Sequence, residues 1–274
     1  MRKSLLACAL TCAATIIVSL ASPAGVASTA APAAWKLTWS DEFNAAAGSA
    51  PDSGKWNYDI GGSGWGNSER EYYTNSRNNS FQDGSGHLVI QARKDDAAGH
   101  QCWYGTCQYT SARLLTSGKF SQTYGRFEAS VKIPGGQGVW PAFWALGTNI
   151  GSVGWPACGE IDTMENIGKE PNLAHGSLHG PNNYNTTSTY NLGSPFSAGF
   201  HTFAADWYPD HIAFSVDGHI YNTQNRPSSG WVFDHPFFLI LNLAIGGSWP
   251  GDPNSSTPFP AKMLVDYVRV YTSA

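Results

Sequence analysis

Residues 124–133 read YGRFEASVKI, with the apolar residues on every second position. Phe127, Ala129, Val131 and Ile133 fall on one side, and Arg126, Glu128, Ser130 and Lys132 on the other. Successive strand side chains point to opposite faces, so this segment is a strand with one apolar face and one polar face. Outward from it, residues 211–217 repeat the pattern, with Ile212, Phe214 and Val216 opposed to Ala213, Ser215 and Asp217. Near the end of the chain, Leu264, Asp266, Val268 and Val270 are expected on one face and Val265, Tyr267, Arg269 and Tyr271 on the other. Turn signals punctuate the rest: Asp83-Gly84, Pro134-Gly135-Gly136, Asp217-Gly218, Gly246-Gly247 and Pro250-Gly251. No long segment past the first thirty or so residues has helical periodicity. Short strands separated by Gly and Pro turns predict an all-β, antiparallel sandwich or barrel.

The start of the chain is of another kind. Arg2 and Lys3 precede an almost uncharged apolar run from Leu5 to Leu20, and small residues follow. That order is expected of a secretory signal peptide cleaved between about Ala27 and Ala34. The run is short for a bilayer span and lacks a stop-transfer charge cluster, which argues against a membrane anchor. The chain of 274 residues therefore divides into residues 1–34, signal and short leader, and residues 35–274, one folded domain without a linker or repeat. No acid lies before Asp41, so cleavage moves the formal net charge from −4 to −6. A mildly acidic chain lacks the clustered Lys and Arg that nucleic acid or anionic lipid rewards, so neither is expected as a partner. Aromatic residues reach 13%, with Trp 11 times, as a surface for flat, neutral sugar rings would need, although cores use Trp too. Three cysteines remain after cleavage. Cys102 and Cys107 could close a small loop in an oxidising compartment, leaving Cys158 as the odd, buried thiol.

The chemistry is expected in residues 155–168, WPACGEIDTMENIG. Glu160 and Asp162 share a strand face, but the next same-face position is Met164 and the acid stands one place later, at Glu165. A β-bulge near Thr163-Met164 would return Glu165 to the face of the other two, and bulges often re-aim side chains beside active sites. A regular strand would instead bury Glu165 unpaired in the opposite face, which is costly. Three acids together hold their pKa values apart, as glycoside hydrolysis needs: one carboxylate ionised to attack, another protonated to release the leaving oxygen. On this reading Glu160 is the nucleophile, Glu165 the general acid/base, and Asp162 the residue that orients Glu160. A cation site or a solvated strand face are the competing readings of the same spacing.

The segment GEIDTMEN after Trp155-Pro156, with Trp39-Ser40-Asp41-Glu42-Phe43 near the start, resembles glycoside hydrolase family 16. Its E-x-D-x-x-E spacing is that of the bulged, laminarinase-like branch. Gly125-Arg126-Phe127-Glu128, Trp140-Pro141-Ala142-Phe143-Trp144, Asp206-Trp207, residues 242–247 (NLAIGG) and residues 266–271 (DYVRVY) follow in the family's order. The resemblance implies a concanavalin A-like β-jelly roll of two curved antiparallel sheets, with residues 35–274 as the catalytic domain and a concave substrate cleft. It implies a retaining endo-β-1,3-glucanase acting on laminarin- or curdlan-type β-glucan; the leader marks it as secreted, and a monomer is the default expectation. Activity on mixed-linkage β-1,3-1,4-glucan or a galactan, and non-catalytic glucan recognition on the same fold, are the alternatives.

Residue by residue, Glu160, Asp162 and Glu165 match the catalytic acids. Trp140, Trp144, Trp155 and Trp249 are expected to stack on sugars, Glu69 and Arg113 to contact hydroxyls, and His179 to lie beside the acids. No cofactor is expected for catalysis. A structural calcium is expected at Asp266, with Glu42 and the carbonyl of Gly84 as companions. The segment 68–73, SEREYY, departs from the family: Arg70 and Glu71 are charged where relatives often carry a neutral residue, which bears on fine specificity.

Overall fold

The alternation of residues 124–133 becomes the strand Gly125–Lys132, with Phe127, Ala129 and Val131 fully buried. Its other face carries an ion-pair network, in which Arg126 reaches Glu128 and Asp206 at 2.7 Å each. In the computed structural model, which describes residues 34–274, this strand is central to an eight-stranded antiparallel sheet. Its neighbours are His201–Trp207 and the thirteen-residue strand Ala261–Ser273, which also pairs with Trp35–Asp41 at the front of the domain. A second, seven-stranded sheet runs in the order Asn185–Asn191, Leu173–His179, Glu160–Glu165, Val139–Gly147, Phe237–Ile245, Arg113–Leu115, Asn57–Asp59. The two sheets form the jelly-roll sandwich. Between them lies one continuous core that includes Phe127, Phe143, Ile161, Met164, Phe214, Leu241 and Val268. Each such side chain removed from water contributes about 1.5–3 kcal/mol, which offsets the ordering of long, non-local strands.

The last strand corrects one expectation. Ser130 pairs with Tyr267 but Val131 pairs with Val265, so Asp266 is the extra residue of a bulge. The bulge turns Val265 inward together with Val268 and Val270, all at 0% exposure, whereas strict alternation separates them.

Close approach fixes one glycine beside the site. A Cβ on Gly147, at the end of Val139–Gly147, would lie 2.0 Å from the Cys158 carbonyl oxygen, so only glycine fits there. Cys102 and Cys107 are disulfide-bonded and Cys158 is a buried free thiol. The signal-peptide expectation falls outside the described residues. Among the described residues no helix is long and apolar enough to cross a membrane.

Candidate active site

Three adjacent strands of the seven-stranded sheet build the site. Phe143 and Ala145 of Val139–Gly147 point into the core, so Trp140, Ala142, Trp144 and Leu146 face outward. On the neighbouring strand Glu160–Glu165, Phe143 pairs with Met164 but Trp144 pairs with Asp162, leaving Thr163 as an extra residue. The other neighbour shows the same shift, with Asp162 opposite Ser177 and Glu165 opposite His175. The bulge read from the E-x-D-x-x-E spacing is present. Ile161 and Met164 enter the core, and Glu160, Asp162 and Glu165 share the outer face.

All three carboxyls line a cleft of about 480 Å³ with Trp140, Trp144 and Trp155. Each outer acid is held by an indole. Trp155 Nε1 donates to Glu160 Oε2 at 2.9 Å, and Trp140 Nε1 donates to Glu165 Oε1 at 3.0 Å. His179, from the next strand, brings Nε2 to 3.0 Å from Asp162 Oδ2 and 3.8 Å from Glu160 Oε1. Ligand-capable atoms of Glu160, Asp162 and His179 lie within 4.8 Å of one another.

Burial first, and then the charge on Asp162, pushes Glu160 up to about 8. Burial pushes Asp162 up to about 8, against a hydrogen bond with Glu160 that lowers it. Glu165 is raised well above the carboxylate range by burial, followed by the charges of Asp162 and Glu160. The three titrate as a group, and near neutral pH the cluster retains protons that separate carboxylates would have released.

The remaining expected residues take different places. Glu69 and Arg113 line the same cleft. Arg113 pairs with Asp59 at 2.9 Å, its guanidinium lying between the rings of Trp65 (4.9 Å) and Trp144 (4.7 Å). Trp155 is 60% exposed beside Glu160, placed as a platform. Trp249 packs edge-on against Trp140 at 5.4 Å and against His175 at 5.1 Å, outside the cleft lining. His175 and His179 stand opposite Glu165 and Glu160 respectively, at separate ends of the acid row.

At the expected calcium position, Arg269 holds both oxygens of Glu42 at 3.0 and 2.7 Å and keeps its pKa below the usual range. The guanidinium supplies the positive charge an ion would bring, so the Glu42 side chain is not an available ligand. Of the residues expected there, Asp266 is left as the side-chain candidate.

Of the lining residues that the sequence reading did not assign to the site, Asn242 and Trp65 hold other cleft residues in place. Asn242 joins Trp144 to Tyr73: its Oδ1 accepts from Trp144 Nε1 at 2.8 Å and its Nδ2 donates to Tyr73 Oη at 3.1 Å. Trp65 covers Arg113. Pairing of Phe237–Ile245 with its neighbours turns Asn242 to the cleft, and Trp65, in the turn before Glu71–Tyr73, reaches it by packing on Arg113.

A β-sandwich whose open face presents raised carboxyls between indole rings is built as a polysaccharide-cleaving hydrolase. The profile of the glycosyl hydrolases family 16 matches residues 68–269, and the chain belongs to that family. It is 42% identical over 255 residues to a β-glucanase of Rhodothermus marinus, covering 86% of this chain and 85% of that protein. The crystal structure of a laminarinase catalytic domain from Thermotoga maritima superposes with a TM-score of 0.81 at 45% identity, over 88% of this chain and 99% of that one. An endo-β-1,3-glucanase from Pyrococcus furiosus gives a TM-score of 0.81 at 46% identity, over 88% and 95%.

Proposed function

We propose that this protein is a secreted, monomeric, retaining endo-β-1,3-glucanase in which residues 35–274 form the catalytic domain. The observation that carries the reading is the pairing of Glu160 and Glu165 on one cleft face by the Thr163 bulge, each carboxyl anchored by a tryptophan N–H. The similarity to laminarinases and β-glucanases supports the substrate class.

In the first half-reaction Glu160 attacks the anomeric carbon and forms a glycosyl ester, while Glu165 gives its proton to the departing glycosidic oxygen. In the second, Glu165 takes a proton from water, whose oxygen displaces Glu160 and restores the starting configuration. Asp162, hydrogen-bonded to Glu160, controls which of the two holds the shared proton. Trp140, Trp144 and Trp155 offer faces for successive sugars, and Glu69 and Arg113 contact hydroxyls.

The mature protein is tested on laminarin, curdlan, mixed-linkage glucan, agarose and carrageenan, following reducing ends, product size and the anomer first formed. Short β-anomeric oligosaccharides from laminarin or curdlan are expected. Cleavage of a galactan alone overturns the substrate, an α-anomer overturns retention, and binding without any product moves the chain to glucan recognition.

A further inference from the structure

Behind the cleft wall lies a second carboxylate pair that the reaction above does not use. Glu69 lines the cleft and Glu71 is fully buried next to it, at 0% exposure. The donors around them fix where the protons are. The indole N–H of Trp144 can only donate, so the oxygen it reaches at 2.8 Å is that of the Asn242 amide. The Asn242 amide nitrogen therefore faces Tyr73 and donates to its hydroxyl oxygen at 3.1 Å. The single proton of that hydroxyl is left for Glu69 Oε2, at 2.9 Å. Glu69 Oε1 accepts from the Asn67 amide at 3.1 Å. Glu69 is thus an acceptor on both oxygens, as a carboxylate is.

Glu71 has the opposite surroundings. Its Oε2 accepts the backbone N–H of Ile245 at 2.6 Å, while Oε1 is buried with no donor among the described residues. The Glu71 carboxyl lies within hydrogen-bonding reach of the Glu69 carboxyl. Among the described residues no cation neutralises it. Arg70 turns outward to Asp252, at 3.0 and 2.7 Å, and Arg113 is paired with Asp59. The other titratable groups facing the pair are the phenols of Tyr73 and Tyr104. Two bare carboxylates in contact in a dry site would repel strongly, whereas one proton between them converts the repulsion into a charge-assisted hydrogen bond.

We propose that Glu71 is a neutral carboxylic acid that donates its proton to Glu69, and so acts as the positioning residue that holds Glu69 as a fixed, ionised acceptor for glucan hydroxyls, a role that rests on the glucanase reading above. Burial, followed by the charge of Glu69, raises Glu71 well above the carboxylate range. As pH rises past that point the proton leaves, the two charges repel, and Glu69 is driven from its place in the cleft. The loss falls on substrate binding, because Glu160 and Glu165 lie on a different strand. The folded state also keeps a proton that the unfolded chain releases near the ordinary carboxylate pKa. Stability from this site is therefore lost progressively as pH rises from that value to the raised one.

The E71Q variant decides the matter, since its amide donates to Glu69 and accepts from Ile245 without titrating. Melting curves from pH 5 to 9 are expected to show E71Q gaining on the wild type as pH rises. An infrared difference spectrum at pH 7 is expected to show one protonated carboxyl in the wild type that E71Q lacks. On laminari-oligosaccharides, wild-type KM is expected to climb about tenfold toward alkaline pH with kcat moving less, the scale of one hydrogen bond to a charged group. In E71Q the KM rise is expected to vanish, and in E71L, which has no donor, KM is expected to be high throughout. Parallel melting curves with no carboxyl difference overturn the proposal, as does an E71Q that reproduces the wild-type KM rise. A wild type that cleaves no glucan sinks the glucanase reading instead, and the melting and infrared comparisons still decide whether Glu71 holds the proton.

Discussion

The indole Nε1 of Trp140 donates a 3.0 Å hydrogen bond to Oε1 of Glu165, the general acid of the proposed reaction. This bond stabilises the ionised carboxylate and lowers a pKa that burial and the charge of Asp162 raise. Activity should fall on the alkaline side as Glu165 loses its proton. W140F removes the N–H and should move the alkaline limb of kcat/KM to higher pH. D162N removes the charge and should move it to lower pH. Shifts of the same sign in both variants would mean that Glu165 is not the group titrating.

The roles proposed for Glu160 and Glu165 are separable by experiment. E160Q should lose about a thousandfold or more in kcat on every substrate, because no ester can form. E165Q should recover much of its rate on aryl glucosides whose leaving group needs no proton. Added azide should give an α-glycosyl azide with an E160A variant and a β-glycosyl azide with E165A. Product stereochemistry by NMR distinguishes them, and the reverse pattern would exchange the assignments.

Trp155 combines a platform with a hydrogen bond, being 60% exposed while its Nε1 holds Glu160 at 2.9 Å. W155F keeps a ring but loses the N–H. Its kcat should drop about 10- to 100-fold, the scale of a hydrogen bond to a charged group, with KM little changed. W155A should in addition raise KM. Equal kinetics in the two variants would leave the ring face without a role, and a W155F as fast as the wild type would leave the N–H without one.

The hairpin closed by Cys102 and Cys107 clamps the cleft wall. Trp103 Nε1 donates to the Glu69 carbonyl at 2.8 Å and Tyr104 Oη donates to the Arg70 carbonyl at 2.6 Å. Replacing both cysteines by serine should cost about 2 kcal/mol, or roughly 4–8 °C in Tm for a domain of this size. KM should rise severalfold with kcat nearly constant, because the hairpin supports Glu69 and lies away from the reacting carboxyls. A fall in kcat alone would contradict this arrangement.

A calcium ion at Asp266 should leave a thermal signature. EDTA should lower Tm in the wild type and have no effect in D266N. E42Q should keep the EDTA response, since Arg269 already occupies that carboxylate. An EDTA response lost equally in E42Q would restore Glu42 as a side-chain ligand.

Period-two alternation is a local property, and it was enough to read an all-β sandwich or barrel from segments such as residues 124–133. The E-x-D-x-x-E spacing was equally local, and avoiding an unpaired buried acid placed a bulge near Thr163. The bulge at Asp266 carried no such signal, because either register leaves apolar residues on both faces of residues 264–271. Only pairing with Ser130 and Val131 fixes it.

The sequence by itself thus determined the class of fold, the identity of the three clustered acids, and the family through its ordered motifs. The tertiary structure alone decided which tryptophans face the cleft and which serve as props, Trp249 being the example. It also decided that Glu42 belongs to Arg269, 227 residues away, and that Asn242 ties Trp144 to Tyr73 across separations of 98 and 169 residues. Glu71 reads in the sequence as a charge. Its burial against Glu69 and its bond to Ile245, 174 residues on, make it an acid that must keep its proton. The physical reason is common to these cases: side-chain periodicity is set by adjacent residues, whereas partners and proton positions are set by which strands become neighbours in the sheet.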